Sequence, residues 1–174
     1  MRRQELLERL ARVRILVLDC DGVMNDGAIQ TGVIKDLTGQ VVQSFESATF
    51  HHRDGKGIDM VRDVGIHVVV ASGQRTPYAE VRVAKLAQLK LSGDIVCYTG
   101  AQGKDKVGCV TRYLWEHHSD ITMEEVCFVA DDTGDMKLMK VVGVPIAVAN
   151  AIPAIKAVAV YVTRLIGGHG AVRE

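Results

Sequence analysis

Acidic and polar side chains follow three of the apolar segments of this sequence. Asp19 and Asp21 come at the end of one run of aliphatic residues, Ser72 follows a second run, and Asp131 follows another, with Asp135 four residues further on. Asp19 and Asp21 lie on the same side of an extended segment, because side chains alternate along a strand. If the apolar segments are strands of one parallel sheet, these side chains meet at its carboxyl edge, where ligands bind in such sheets.

Carboxylates that share one edge repel one another unless a cation lies between them. Hard oxygen ligands suit Mg²⁺, which usually binds beside a substrate phosphate. A carboxylate nucleophile could then form an acyl phosphate, while a second carboxylate protonates the leaving group and later deprotonates water. Each residue alone is more often structural, for instance as a helix cap. The joint arrangement nevertheless favours phosphate-ester chemistry that uses Mg²⁺.

The apolar segments alternate with segments that have the character of helices. The predicted strands are Ile15–Asp19, Ile66–Ala71, Ile95–Tyr98, Val126–Ala130, Val144–Val148 and Val158–Val162. A short surface helix is predicted first, and the others lie between the strands: Gln4–Arg12, Gly57–Asp63, Pro77–Leu89, Lys106–His118, Asp135–Val141 and Ile152–Ala157. This order predicts an α/β fold with a doubly wound parallel sheet.

Two segments fall outside that alternation. Residues 28–50 have the pattern of an inserted β-hairpin with a turn at Thr38-Gly39, which could be an interface or a plain surface hairpin. Residues 163–174 end in GGHGAVRE, and their glycines predict a mobile tail.

Length and composition exclude several classes of protein. A chain of 174 residues corresponds to about one domain, so we expect residues 1–174 to form a single unit. Lysine and arginine together equal aspartate and glutamate at 21 each, which argues against a broad grip on nucleic acid. No apolar run approaches the roughly 18–20 residues that span a membrane, and the N-terminus does not have the pattern of a signal peptide. The four cysteines are far apart and predict reduced thiols in a cytoplasmic protein.

The order strand-DxDG, strand-SG, lysine and strand-DDxxxD resembles the signature of the haloacid dehalogenase-like phosphohydrolases. The resemblance runs from about Arg14 to Glu174. The segments DCDGVMNDG, FHHRDGKGI, VADDTGDMKLMKVVG and YVTRLIGGHGAVRE look like the capless subgroup typified by 3-deoxy-D-manno-octulosonate 8-phosphate (Kdo-8-phosphate) phosphatase, and the tail is the most specific match. The resemblance implies a Rossmann-like fold without a cap domain, Mg²⁺ as cofactor, a small phosphorylated sugar-acid substrate and a homotetramer. Close relatives in that subgroup act on nine-carbon sugar phosphates of the sialic-acid type.

The resemblance also implies roles for individual carboxylates. Asp19 would be the nucleophile and Asp21 the general acid and base. Asp19, the backbone carbonyl of Asp21 and Asp131 would bind Mg²⁺, and Asp135 would support the metal site from outside it.

The phosphate subsite follows from the same resemblance. Ser72 and the amide of Gly73 would hold the phosphate together with a lysine from the GKDK turn. Lys106 is preferred because it begins an apolar helix, whereas counting forward from the preceding strand favours Lys104.

This sequence departs from the subgroup near the expected sugar end of the substrate. Gln74 stands where the Kdo-8-phosphate phosphatases usually carry Arg and the nine-carbon relatives can carry Glu, and His169 stands where the octulosonate enzymes usually carry Arg. His51-His52 could be a metal pair, but a solvated loop is the preferred interpretation. The alternatives are a nine-carbon keto-sugar acid phosphatase, a phosphatase of another small phosphomonoester, a phosphoryl-transfer enzyme and a non-catalytic module.

Overall fold

The computed structural model describes residues 3–75, 77–101 and 104–174, and only the backbone of residues 104 and 105. Its strands are β1 (Ile15–Leu18), β2 (Gln30–Lys35), β3 (Val41–Ser47), β4 (His67–Ala71), β5 (Ile95–Tyr98), β6 (Val126–Ala130), β7 (Val144–Ala147) and β8 (Tyr161–Val162). Six of them form a parallel sheet in the order β5-β4-β1-β6-β7-β8, and β2 pairs with β3 in a separate antiparallel hairpin.

The central strand β1 lies between β4 and β6. Leu18 is in register with Val70 on one side and with Val129 on the other. All three residues are buried, as expected of aliphatic strands covered on both faces. From β1 the chain builds outward to β4 and β5, then crosses back to build β6, β7 and β8. The strand order therefore reverses at β1, which is where open α/β sheets form their binding crevice. The predicted fold class is confirmed.

The described residues include six α-helices. They are α1 (Arg3–Leu10), α2 (His52–Asp63), α3 (Tyr78–Leu86), α4 (Lys104–His117), α5 (Met136–Met139) and α6 (Pro153–Val158). Each predicted helix is present with different ends. Helix α4 matters most for the site. It begins beside the carboxyl edge of the sheet and carries Lys106 in its first turn.

Helix α2 begins five residues before the predicted Gly57, so the prediction of a solvated loop is wrong at His52, its first residue. Two glycines weaken the helical pattern in the sequence, yet both lie close to distant parts of the chain. A Cβ atom at Gly55 would lie 2.3 Å from the side chain of Arg82, and one at Gly57 would lie 3.1 Å from the Cα of Arg173.

The C-terminal segment also differs from its prediction. Helix α6 extends through Val158, so the last strand is limited to Tyr161–Val162. The tail predicted to be mobile packs against the body of the protein. The buried carboxylate of Asp54 accepts hydrogen bonds from the backbone N–H groups of Gly170 (3.3 Å) and Arg173 (2.8 Å).

The inserted hairpin is present as predicted. Asp36 fastens its turn by accepting hydrogen bonds from the N–H and the hydroxyl of Thr38, and Gly39 adopts a φ of 88° that favours glycine. Apolar side chains of the hairpin are exposed, among them Val33, Ile34, Leu37, Val41, Val42 and Phe45.

Within the described residues, no helix combines the length and apolar character needed to cross a bilayer. The four cysteines are free thiols, of which Cys20 and Cys127 are buried.

Candidate active site

An ion-pair cluster lies at the carboxyl end of β1. Asp19 follows the strand directly, and its Oδ1 accepts a 2.8 Å hydrogen bond from the N–H of Cys20. The ammonium of Lys106 lies 2.7 Å from Asp19 Oδ1 and 2.6 Å from Asp135 Oδ1. All three charged side chains are buried. Because a lone buried charge is costly, the ammonium of Lys106 favours the ionised form of each carboxylate, and the two carboxylates favour the charged form of the lysine.

The pKa values of this cluster reflect its burial. Burial raises the pKa of Asp19 from 3.8 to about 8, with the charges of Asp135 and Asp131 adding to the effect and Lys106 opposing it. Burial alone lowers the pKa of Lys106, but the carboxylates of Asp19 and Asp135 outweigh it and the net direction is upward. The lysine thus stays charged at neutral pH, whereas Asp19 needs more positive charge nearby to be fully ionised.

Asp135 organises the turn after β6. Its Oδ2 accepts hydrogen bonds from the backbone N–H groups of Asp131 (3.2 Å) and Asp132 (3.4 Å), while its Oδ1 contacts Lys106. Asp132 in turn accepts a 2.6 Å hydrogen bond from the N–H of Thr133. The two oxygens of Asp135 are therefore engaged by the protein itself, and its contacts fix the position of Asp131.

Asp131 has the properties of an available cation ligand. Its Oδ1 is buried without a hydrogen-bond partner, which is unusual for a carboxylate oxygen. Burial, followed by the charges of Asp135 and Asp132, raises its pKa to about 6. Carboxylate oxygens of Asp19, Asp131 and Asp135 lie within 4.8 Å of one another. This donor set consists of oxygens and fits a hard divalent cation such as Mg²⁺.

Gly22 is required beside this cluster. It has a φ of 85°, and a Cβ atom there would lie 1.9 Å from Asp131 Oδ2. The glycine of the DxDG motif therefore lets the loop after β1 approach the carboxylate that follows β6.

Asp21 is held by three neighbours. Its Oδ1 accepts hydrogen bonds from Asn25 Nδ2 (2.9 Å) and from the hydroxyl of Tyr78 (2.8 Å), and its Oδ2 lies 3.4 Å from the hydroxyl of Ser72. Asn25 is fully buried, and its side-chain oxygen also accepts from the N–H groups of Gly22 (3.2 Å) and Gly27 (2.8 Å). The Asp21 carboxylate is thus oriented by residues of its own loop and of α3.

The turn after β4 places Ser72, Gly73 and Gln74 beside Asp21. Ser72 is buried, and its hydroxyl oxygen accepts a 3.1 Å hydrogen bond from the N–H of Gln74. The carbonyl of Gln74 accepts from the N–H of Gly100, which ties this turn to the loop after β5. Gln74 itself is exposed.

The C-terminal tail packs directly on the loop after β1. A Cβ atom at Gly167 would lie 1.8 Å from the carbonyl oxygen of Gly22, and Gly168 has a φ of 70°. These glycines bring His169 to the rim of the site, where its Nε2 lies 3.9 Å from Asp26 Oδ2.

A cavity of about 670 Å³ joins these elements. Seven of the residues predicted for the site line it, namely Asp19, Asp21, Gly73, Gln74, Lys106, Asp131 and Asp135. Ser72 contacts Asp21 from behind, while His169 stands outside the lining at the rim. The side chain of Lys104 lies outside the described part of the structure.

The charges around the cavity are unbalanced. Among the described residues that line it, the carboxylates are Asp19, Asp21, Asp26, Asp131, Asp132 and Asp135, and Lys106 supplies the positive charge. An anionic phosphate would be repelled by this surface unless a cation offset it.

Sequence reasoning missed Asn25, Tyr78 and Asp54. Asn25 lies within the quoted DCDGVMNDG segment, so its motif was visible but its role was not. The contacts of Tyr78 with Asp21 and of Asp54 with the tail span 57 and 116–119 residues, respectively. Local patterns carry no signal of contacts at such separations.

Comparison with known proteins places these observations in a family. Residues 101–172 match a model of the haloacid dehalogenase-like hydrolases. The chain is also 34% identical to the 3-deoxy-D-manno-octulosonate 8-phosphate phosphatase of Yersinia pestis over 175 residues, covering 98% of this chain and 81% of that protein. This chain is a haloacid dehalogenase-like phosphatase.

Solved structures show the same relationship for this phosphatase. One similar structure comes from Vibrio cholerae and is assigned as a 3-deoxy-D-manno-octulosonate 8-phosphate phosphatase. It has a TM-score of 0.78 and 32% sequence identity to this chain, and the match covers 97% of this chain and 84% of that one. The cobalt-bound deoxy-D-mannose-octulosonate 8-phosphate phosphatase of Haemophilus influenzae is similar with a TM-score of 0.72 and 30% identity, over 95% and 85% of the two chains. The phosphatase thus shares both fold and sequence with proteins of that activity.

Proposed function

We propose that this phosphatase hydrolyses 3-deoxy-D-manno-octulosonate 8-phosphate to the free sugar acid and phosphate, using Mg²⁺. The observation that carries the proposal is the buried cluster of Asp19, Lys106, Asp131 and Asp135 at one cavity. Identity of 34% to a phosphatase of that substrate over most of both chains supports it.

The reaction uses Asp19 as nucleophile. Its carboxylate oxygen attacks the phosphorus, an O–P bond forms, and the bond from phosphorus to the sugar oxygen breaks. Asp21 gives a proton to the leaving oxygen and then takes one from water, which attacks the phosphorus of the acyl phosphate and releases phosphate. The hydrogen bonds from Asn25 and Tyr78 hold the Asp21 carboxylate in place for both proton transfers.

Three groups of the chain would hold Mg²⁺: the carboxylates of Asp19 and Asp131 and the backbone carbonyl of Asp21. Asp135 acts by orienting the backbone of Asp131 and by pairing with Lys106. When bound, the cation offsets the repulsion between the anionic nucleophile and the anionic phosphate.

The phosphate is held by Ser72, by the N–H of Gly73 and by Lys106. A buried ammonium 2.7 Å from Asp19 Oδ1 is close enough to the nucleophile to contact a phosphate oxygen as well. This proximity favours Lys106 over Lys104 for the role.

The sugar end of the substrate would lie toward Gln74 and His169. Gln74 lines the cavity and His169 stands at its rim. Gln74 is neutral, and an uncharged side chain binds a sugar carboxylate less strongly than arginine does. Gln74 thus weakens the assignment of the octulosonate substrate, and phosphorylated sugar acids of the nine-carbon, sialic-acid type are the second candidate.

The exposed apolar side chains of the hairpin support self-association, and we propose a homotetramer. Val42 is 61% exposed and Phe45 is 49% exposed. Apolar side chains at a subunit interface are exposed in this way when one chain is considered alone. Neighbouring subunits would also screen the open cavity, since the part of the chain that the structure describes includes no cap domain over it.

A phosphate-release assay with Mg²⁺ tests the proposal. We expect 3-deoxy-D-manno-octulosonate 8-phosphate to give a higher kcat/KM than nine-carbon keto-sugar acid 9-phosphates and than hexose phosphates. A higher kcat/KM for a nine-carbon substrate would show that the proposed substrate is wrong. Formation of a phosphorylated isomer without free phosphate would show that the reaction is phosphoryl transfer rather than hydrolysis. Full activity in excess chelator would contradict the role of the metal.

A further inference from the structure

A second cluster of potential metal ligands lies at the opposite edge of the central sheet. His67 is the first residue of β4, Asp94 directly precedes β5, and His118 directly follows α4. Ligand atoms of these three side chains lie within 4.8 Å of one another. The cluster is separated from the carboxyl edge by the length of β4, about 17 Å for five residues at 3.3 Å each.

We propose that His67, Asp94 and His118 form a binding site for a borderline divalent cation such as Zn²⁺. Two imidazoles and one carboxylate are ligands that Zn²⁺ accepts, whereas Mg²⁺ prefers oxygen ligands alone. The site is thus chemically distinct from the acidic cluster at the cavity, and it goes beyond the phosphatase reaction.

The three side chains are already in contact. His67 Nδ1 lies 2.7 Å from Asp94 Oδ1, and the imidazole rings of His67 and His118 have centroids 3.9 Å apart and planes tilted by 40°. Ligands around a tetrahedral Zn²⁺ stand about 3.3 Å apart, given bonds of about 2.0–2.1 Å. His67 Nδ1 and Asp94 Oδ1 would therefore need to separate by about 0.6 Å to admit the ion, and all three ligand atoms already lie within 4.8 Å of one another.

Tyr113 orients the cluster from beneath. Its buried hydroxyl lies 2.6 Å from Asp94 Oδ1 and 3.1 Å from His118 Nε2. A hydroxyl that bonds to metal ligands fixes their orientation in the way that outer partners do at known metal sites. The half-exposed side chain of Asp94 leaves the cluster open to an ion and to water from the solvent.

The cluster joins separate parts of the chain. Binding of one ion would cross-link the start of β4, the loop before β5 and the end of α4. Because the unfolded chain does not hold these ligands together, an ion that binds only the folded state stabilises it.

The test is equilibrium dialysis of the whole protein against Zn²⁺ with excess Mg²⁺, with bound zinc measured by elemental analysis. We expect one high-affinity Zn²⁺ per chain in the wild type and in an Asp131→Asn variant, which alters the cavity site alone. We expect His118→Gln and His67→Gln to weaken Zn²⁺ binding at least about tenfold. Loss of a residue that only supports a metal ligand already weakens affinity by about tenfold or more, and these variants remove a ligand itself. His117→Gln is the matched control, since His117 is exposed and adjacent on the same helix but outside the cluster.

Thermal unfolding supplies a second measurement. At free Zn²⁺ about a hundredfold above its dissociation constant, the ratio of folded to unfolded protein should rise about a hundredfold. The rise should occur in the wild type and in His117→Gln and should shrink to about tenfold or less in His118→Gln at the same free Zn²⁺. If zinc binds equally to all variants, or binds none of them in the presence of Mg²⁺, the cluster is a hydrogen-bonded network and the proposal is wrong. Circular dichroism without Zn²⁺ establishes that each variant is folded.

Discussion

Two regions of the molecule depart from the usual rule that charges are exposed and apolar side chains are buried. The carboxyl edge of the central sheet buries charged side chains, and the β2–β3 hairpin exposes apolar ones. At the sheet edge, Asp19, Lys106 and Asp135 are buried, with at most 7% of any of them exposed. On the hairpin, Val42 and Phe45 are about half exposed or more. Buried charges are costly unless they are paired, and exposed apolar patches mark interaction surfaces.

The difference indicates a division of labour. Burying charges at the sheet edge costs folding free energy, and the fixed arrangement of charges serves the reaction. The hairpin contributes little to the central core and presents a surface that only a partner would cover. The two regions should therefore respond to mutation in different measurements: the edge in the chemical step and the hairpin in assembly.

The largest effect is expected for Asp19→Asn. The amide keeps the shape of the side chain but is not a nucleophile, so we expect kcat to fall by about three orders of magnitude or more. Phosphate release is the measurement. The matched control is Asp36→Asn in the hairpin turn, which should retain wild-type kcat; a variant at Asp19 with more than about a tenth of wild-type activity would refute covalent catalysis through this residue.

Hairpin variants should change assembly instead. Charged residues at the apolar patch, as in Val42→Glu with Phe45→Glu, should convert the proposed tetramer into smaller species because desolvating a charge in an interface is unfavourable. Sedimentation at micromolar concentration measures this. Thr31→Glu, which adds charge to the same hairpin at an exposed polar position, is the control. A wild-type protein that sediments as a monomer would remove this explanation of the exposed patch.

Gln74→Arg should sharpen the comparison within the cavity. An arginine can pair with the sugar carboxylate through two hydrogen bonds. A charge-assisted bond contributes about 1.5–3 kcal/mol, so the KM for 3-deoxy-D-manno-octulosonate 8-phosphate should fall roughly ten- to a hundredfold. The KM for a small phosphomonoester without a carboxylate should hardly change. Equal changes for both substrates would show that Gln74 does not contact the sugar acid.

Tyr78→Phe should have a smaller effect. It removes one of the hydrogen bonds to Asp21 Oδ1 and leaves that of Asn25. Loss of one such bond, at about 0.5–1.5 kcal/mol, predicts a fall in kcat of roughly two- to tenfold and a shifted pH profile. If kcat and its pH profile are unchanged, Asn25 alone suffices to orient Asp21.

The last prediction concerns the stability of the metal-free protein rather than its kinetics. Burial raises the pKa of Asp19 from 3.8 to about 8. Between those values the folded state binds more protons than the unfolded chain, so stability should fall as pH rises through that window. Thermal unfolding in chelator should show the decline, and Asp19→Asn should reduce it and be more stable than wild type near pH 8. A stability that rises with pH across the window would contradict this electrostatic account.

Much of the fold was predictable because buried parallel strands have continuous apolar sequences, as in Ile15–Leu18 and Val126–Ala130. The residues at the cavity were predictable because they follow those strands directly. Helix α2 was predicted too short because the cost of Gly55 and Gly57 in a helix is visible locally, whereas the backbone of Arg173 that packs against Gly57 is distant in sequence.

The missed features depend on long-range contacts. In the sequence, Asp54 has the pattern of an ordinary acidic residue in the first turn of a helix. Its hydrogen bonds to the tail appear only in the folded structure, so the tail was predicted to be mobile. His67, Asp94 and His118 come from three separate elements, and no spacing in the sequence indicates that they meet. In both cases the packing of distant elements, rather than a local pattern, determines the structure.

Trapping the covalent intermediate tests the central claim, that Asp19 accepts the phosphoryl group, most directly. In Asp21→Asn the base that activates water is lost, whereas an aryl phosphate has a leaving group that needs no acid. A rapid acid quench of this variant with Mg²⁺ and an aryl phosphate, followed by peptide mass spectrometry, should therefore show phosphate attached to Asp19. Phosphate attached to another residue, or continued release of phosphate with no modified peptide at any quench time, would contradict the account.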